Sequence, residues 1–471
     1  MHIPFQNTFS KLPDTFYQSI RPTPVSNPKL IAFNHQLAKV LGIDSTDTTE
    51  LAAIFSGNIV PPGAEPLAQL YSGHQFGHWA PQLGDGRAIL LGEIIGIDGT
   101  RRDIQLKGSG RTKYSRMGDG RAWLGPVLRE FIISEAMHHL GIPTSRALAA
   151  VATSDPVYRE QGALPGAILT RIATSHLRIG TFQIFATRGE IDHLKQLTEY
   201  AIERHYPDAD GPMGLLRHVC DVQAKLVAQW MSVGFIHGVM NTDNCSISGE
   251  TIDYGPCAFM DTYHPETVYS SIDQFGRYAY ANQSKIIVWN LAQLATALIQ
   301  QCTAKDAAIE EATDIIQKVP DLHENYWTKF FLKKIGITQQ RENDRELINS
   351  LLEIMADNQA DFTNTFRELS GADGRHHFKD PTIFDQWKEK WMNRLTYEET
   401  PESVMQSANP AFIPRNHRIE QMISSALADN FVPFETLSQV LSFPYQDQAD
   451  HDQFKNPPKP DEVVQATFCG T

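Results

Sequence analysis

Apolar positions along this chain follow two regimes. Between residues 71 and 172 they come in short runs broken by glycine: Ala88-Ile-Leu-Leu91, Asp103-Ile-Gln-Leu-Lys107, Ala147-Leu-Ala-Ala-Val151 and Ala167-Ile-Leu-Thr-Arg-Ile172. Runs of this length read as strands. The second alternates, which sets Ile104 and Leu106 on one face and Gln105 and Lys107 on the other. Residues 124–140 instead carry Val127, Leu128, Phe131, Ile132 and Met137 at the helical period, and Gly141-Ile-Pro143 ends the run. Beyond Gly180 the helical period dominates. A long helix is expected over 213–233, with Gly234 as its cap, and others over 284–300, 345–359 and 418–427. Ser246-Ile-Ser-Gly-Glu-Thr-Ile-Asp253 reads as a hairpin about Gly249-Glu250.

This order predicts an α+β chain in which a small strand-rich lobe precedes a large helical one. The expected divisions are an N-terminal extension (1–65), a strand-rich N-lobe (66–160), a helical C-lobe (161–445) and a mobile, Pro-rich tail (446–471). The length of 471 residues allows a large buried core, and 41% hydrophobic with 20% charged residues is a globular composition. A formal net charge of −14 argues against a nucleic-acid partner and against a polybasic membrane anchor. The opening Met1-His-Ile-Pro-Phe-Gln has neither the basic nor the apolar region of a secretory signal. The five cysteines are scattered without C-x-x-C spacing, so neither zinc binding nor a disulfide framework is expected, and a cytoplasmic location follows. Cys469 stands apart near the chain end, either as a bystander thiol or as a redox-responsive one.

The densest chemistry lies in His237-Gly-Val-Met-Asn-Thr-Asp-Asn244 and Asp253-Tyr-Gly255. A protein-kinase catalytic loop has its base two residues after the His and a metal-binding Asn seven after it. Asn244 keeps the second position, but the base position holds Val239. Asn244 and Asp253 offer oxygen donors suited to Mg²⁺ or Mn²⁺. Asp243 is either a neighbour of that metal site or a general base. Gly84-Asp-Gly-Arg87 and Gly118-Asp-Gly-Arg121 flank Lys107-Gly-Ser-Gly110, and such turns with a fixed cation suit phosphate oxygens. No P-loop or dinucleotide fingerprint occurs. Lys107 can be oriented by a helix carboxylate, Glu130 or the competing Glu135. Arg171 and Arg178 suit phosphate or ordinary ion pairs. His74 and His78 are expected to pack or hydrogen-bond rather than bind metal, and so are His376 and His377.

The segments YSGHQFGHW (71–79), GDGRAILLGE (84–93), LKGSGRTKYS (106–115), 118–122, 129–143, 175–182 and 237–256 together resemble the selenoprotein O family, also called SelO or YdiU. The resemblance implies a protein-kinase-like two-lobed fold that binds ATP turned end for end. AMP is then transferred to Ser, Thr or Tyr hydroxyls of proteins and pyrophosphate is released. On that resemblance Gly84, Gly86, Arg87, Lys107, Asp119, Gly120, Arg171, Arg178 and Asp253 would contact ATP. Asn244 and Asp253 would hold the metal, Asp243 would accept the proton, and Glu130 would pair with Lys107. The chain departs from the family where many members end in Cys-x-x-selenocysteine or Cys-x-x-Cys, since only Gly470-Thr471 follow Cys469. Transfer of UMP, γ-phosphoryl transfer with an unusual base, and a non-catalytic ATP-binding scaffold remain the competing expectations.

Overall fold

The short apolar runs assemble into one eight-stranded antiparallel sheet in the computed structural model, which describes residues 1–160, 162–371 and 374–468. Seven strands run in the order Tyr17–Ser19, Leu67–Gln69, Ala88–Ile95, Arg101–Lys107, Gly162–Ala173, Arg146–Arg159 and Lys29–Phe33, with Ala122–Trp123 paired beside Gly162–Ala173. Helices dominate from Ile179 onward, so the chain is mixed α+β.

The alternation read from the sequence decides what each sheet face meets. Ile104 and Leu106 join Leu91 and Ile168 in a core closed by Leu37, Leu51 and Phe55 from helices His35–Val40 and Thr48–Phe55. Both helices start at a side-chain cap: Asn34 accepts from Leu37 N, and Asp47 from Thr49 N and Glu50 N. On the opposite face lies helix Leu124–His139. It is not amphipathic in the expected sense, because helices Asn416–Leu427 and Val432–Leu441 pack on its far side. Arg129, Glu130, Ser134 and Glu135 are therefore buried on it and need polar partners.

Both edge strands of the sheet come from the first 65 residues, and its last strand in chain order ends at Ala173. One expectation is corrected here. The stretch 246–253 does turn at Gly249, but its arms do not pair with each other. Ser246 bridges Arg178 and Thr251 bridges Thr144, because both arms meet extended backbone already in place. In the Pro-rich tail, Asn364 donates to Lys455 O, Arg418 donates to Gln453 O, and Thr467 bridges Ser270. Cys469 lies outside the described residues. Among the described residues no helix is long and apolar enough to cross a membrane.

One buried cation tests this packing. Lys334 ends helix Val319–Lys334, is 2% exposed, and sets its ammonium 4.3 Å from the Phe366 ring centroid and 5.2 Å from that of Phe362. Burial pushes this amine down to about 7 from its ordinary 10.5. The folded state thus binds fewer protons than the unfolded chain between those values, so stability rises with pH across that window. Lys334→Met should raise the apparent melting temperature at pH 7, by about 2–4 °C per kcal/mol recovered. The advantage should shrink as pH approaches 10. A variant that melts at or below the wild type at pH 7 would contradict the cost assigned to burying this amine.

Candidate active site

Strand register brings the first functional groups together. Arg171 stands opposite Gln105 and Leu169 opposite Lys107, so Gln105, Lys107 and Arg171 share one face. Helix Leu124–His139 covers that face and aims Glu130 at both cations. Lys107 Nζ lies 2.7 Å from Glu130 Oε2, and Arg171 Nε 2.5 Å from Glu130 Oε1. Across the cleft Asp253 Oδ1 receives Lys107 Nζ at 3.2 Å and Arg171 Nη2 at 2.5 Å. Two cations and two carboxylates thus form a closed ring. Glu135 is excluded from it, being held by Arg146 at 2.7 Å and by Asn34. Burial alone would raise both ring carboxyls. Arg171 and Lys107 hold Glu130 below its ordinary value, and with Arg178 they hold Asp253 well below the usual carboxylate range.

Asp253 adopts φ +60°, a left-handed conformation uncommon outside glycine, and Gly255 N donates back to its carbonyl at 2.8 Å. The turn thereby points the carboxylate into the cleft instead of continuing the chain. His237 supports it from behind, with Nε2 2.9 Å from Ile252 O. Val239, at the position where a kinase loop carries its base, is apolar and part of the cleft wall.

The rest of the loop is stitched to a small hairpin, Gly73–Gln75 paired with His78–Ala80. Thr242 Oγ1 accepts from His74 N at 2.7 Å, and Asn241 Oδ1 accepts from Phe76 N at 3.0 Å and from Tyr278 OH at 2.7 Å. Gln75 Nε2 donates to Asp243 Oδ2 at 3.1 Å, whereas Asp243 Oδ1 is buried with no hydrogen-bond partner among the described residues. Burial pushes the Asp243 carboxyl up to about 6, against the Gln75 hydrogen bond and the nearby Arg178. Glycine is needed at two positions around this loop. A Cβ on Gly73 would stand 2.9 Å from Asp243 Oδ1, and one on Gly180 would stand 2.0 Å from Ser72 O. His74 Nδ1 meets Gln183 Nε2 at 3.0 Å and its ring packs on Trp79 and Trp289, while His78 is exposed, so this pair does not converge on a common point.

Both Gly-Asp-Gly-Arg elements reach the same cleft by close backbone approach. A Cβ on Gly84 would strike the Tyr114 ring at 2.5 Å, and one on Gly120 would lie 2.3 Å from the Gly110 carbonyl. Arg178, wholly buried, lies over the Tyr71 ring at 4.1 Å and 3.3 Å from Asp85 Oδ1. Asp119 is half-exposed and paired with Arg159 at 2.7 Å.

The resulting cleft has a volume of about 760 Å³ and is lined by Gly84, Gly86, Arg87, Lys107, Asp119, Gly120, Arg171, Arg178, Asp243, Asn244 and Asp253. Glu130 does not line it and acts from behind. A cavity of about 800 Å³ among helices Gln283–Ile299, Val319–Lys334 and Asp344–Asn358 has none of these residues on its walls. Asp85, Gln75, Asn241 and Tyr71 were not singled out from sequence. Asp85 could have been, since it is the middle residue of the first Gly-Asp-Gly-Arg element. The other three carry no pattern of their own. Oxygen donors for a hard cation are available at two positions. Asn244 Nδ2 donates to Val239 O at 3.1 Å, which leaves its amide oxygen free of that bond, and both cations of the ring take Asp253 Oδ1 rather than Oδ2.

The chain matches the family model described as "Protein adenylyltransferase SelO" over residues 1–442. It is 65% identical over 469 residues to a "Protein nucleotidyltransferase YdiU" of Ruegeria pomeroyi, covering 100% of this chain and 99% of the relative. It is also 61% identical over 471 residues to the protein of that name in a Ruegeria species (100% of both chains) and 60% identical over 468 residues to that in Roseobacter denitrificans (99% of both).

The charge ring makes a direct stability prediction. Glu130→Ala would leave Lys107 and Arg171 with one carboxylate between them, and breaking a buried pair in this way costs about 3–5 kcal/mol. Glu130→Gln, whose amide oxygen still accepts a hydrogen bond, should lose less. Chemical denaturation reads both, and an unchanged midpoint for Glu130→Ala would show that the ring is not formed.

Proposed function

The chain belongs to the family described as protein adenylyltransferase SelO, and from that premise we propose that it transfers AMP from ATP to hydroxyl groups of Ser, Thr or Tyr on proteins. The observation that carries this reading is a pair of positions. Val239 occupies the site of a kinase base, while Asp243, four residues later, offers a buried carboxylate oxygen with no hydrogen-bond partner among the described residues at the cleft. A kinase-like arrangement of a strand-rich and a helical lobe about the cleft fits this assignment, with the nucleotide turned so that its α-phosphorus meets the acceptor.

In the reaction the acceptor oxygen forms a bond to the α-phosphorus and the bond from that phosphorus to the bridging oxygen breaks. Pyrophosphate leaves and the hydroxyl proton passes to Asp243. Lys107, Arg171 and Arg178 neutralise charge that builds on the departing pyrophosphate. Glu130 and Asp85 keep Arg171 and Arg178 fixed, so little reorganisation accompanies that charge movement. The glycines at 84, 86 and 120 let backbone approach the nucleotide, with Arg87 and Asp119 on the same wall. Asn244 and Asp253 would hold Mg²⁺ or Mn²⁺, which when bound supplies positive charge to the phosphates. The free, buried thiols of Cys220, Cys245 and Cys257, each pushed up to about 12 chiefly by burial, are inert and accord with a reducing, cytoplasmic setting.

Label transfer from α-labelled ATP to protein should vanish in Asp253→Ala and Asn244→Ala, and on chelation of divalent ions. Asp243→Asn should keep nucleotide binding but lose about 10²–10⁴-fold in rate, the usual yield of a positioned general base. Full activity of Asp243→Asn would remove that residue from the chemistry.

A further inference from the structure

Away from the cleft, three metal-type donors converge. Helix Phe362–Glu368 ends in Glu368, and the one-turn helix Gly374–His377 carries His376 and His377. Glu368 Oε2 lies 3.1 Å from His377 Nε2 and 3.5 Å from His376 Nδ1, and the three donor atoms fall within 4.8 Å of one another. Glu368 Oε2 and His377 Nε2 are both buried, yet neither has a hydrogen-bond partner among the described residues. Donor atoms this close can share one cation. Two ligands each about 2.0–2.2 Å from one tetrahedral cation stand about 3.2–3.6 Å apart, close to the separations seen here. The His376 side chain is 66% exposed, which leaves one side of the point open to water.

We propose that Glu368, His376 and His377 bind a divalent transition-metal ion of the Zn²⁺ type, with water completing the shell. Imidazole nitrogen selects such borderline ions over hard Mg²⁺, so the site is chemically separate from the oxygen donors Asn244 and Asp253. The ion would clip the end of helix Phe362–Glu368 to the turn after it. That helix starts at Asp361, whose carboxylate holds buried Arg415 at 2.8 and 3.1 Å and whose backbone bridges Thr262, eight residues beyond Tyr254 of the metal turn. The clip therefore steadies one support of the segment that leaves the active site.

The test is titration of the untagged, full-length chain with Co²⁺ in saturating Mg²⁺, followed by visible absorption. One equivalent should develop a band that one equivalent of Zn²⁺ erases. The exposed variant His376→Ala should weaken binding at least tenfold with the fold unchanged, and His377→Ala and Glu368→Gln should abolish the band. Asn244→Ala, outside the charge ring, should keep it. No Mg²⁺-resistant binding in the wild type, undiminished binding in His376→Ala, or loss of the band in Asn244→Ala would each overturn the proposal.

Discussion

The ring of alternating charge made by Lys107, Glu130, Arg171 and Asp253 is the constraint on which the cleft depends. Two cations side by side on a sheet face, both nearly out of solvent, repel each other and lose hydration. Glu130 lies beneath them and Asp253 across from them, so each cation touches both carboxylates. Four elements distant in sequence are thereby tied at one point: two strands, the helix over the sheet, and the turn at Asp253. Removing any member leaves the others with unbalanced charge, so the ring ties the sheet to the wall of the cleft.

The same arrangement explains why the helix Leu124–His139 is buried on all sides. It must carry Glu130 inward on one face and Glu135 toward Arg146 on another while helices pack behind it. Polar residues in such a position are tolerated only when paired, and each of these two is. On the other wall, the hairpin Gly73–Gln75 and His78–Ala80 fixes the loop that bears Asp243 through backbone donors to Thr242 and Asn241. Asp243 is thus held at the cleft wall with its Oδ1 unpartnered among the described residues.

Much of this was legible in the sequence, for physical reasons. Alternation in Asp103–Lys107 separated the apolar face from the face of Lys107, and seven-residue spacing from His237 pointed to Asn244, which lines the cleft. The choice between Glu130 and Glu135 was not legible, because both lie on buried sides of one helix and only the position of Arg146 decides between them. The turn at 246–253 was visible but its pairing was not, since local pattern cannot reveal that Arg178 and Thr144 offer better partners than its own arms. Asn241, Gln75 and Tyr71 escaped notice because their roles come from contacts across more than a hundred residues. His376 and His377 looked bland for a different reason: their carboxylate neighbour Glu368 is close in sequence but on a separate helix.

Intact-protein mass spectrometry of the purified chain after incubation with ATP and Mg²⁺ or Mn²⁺ tests the central claim most directly, since self-modification needs no known acceptor protein. The account predicts a mass gain of one AMP in the wild type and none in Asp253→Ala. A gain of one phosphate would contradict it, because the γ- and not the α-phosphorus would then face the acceptor.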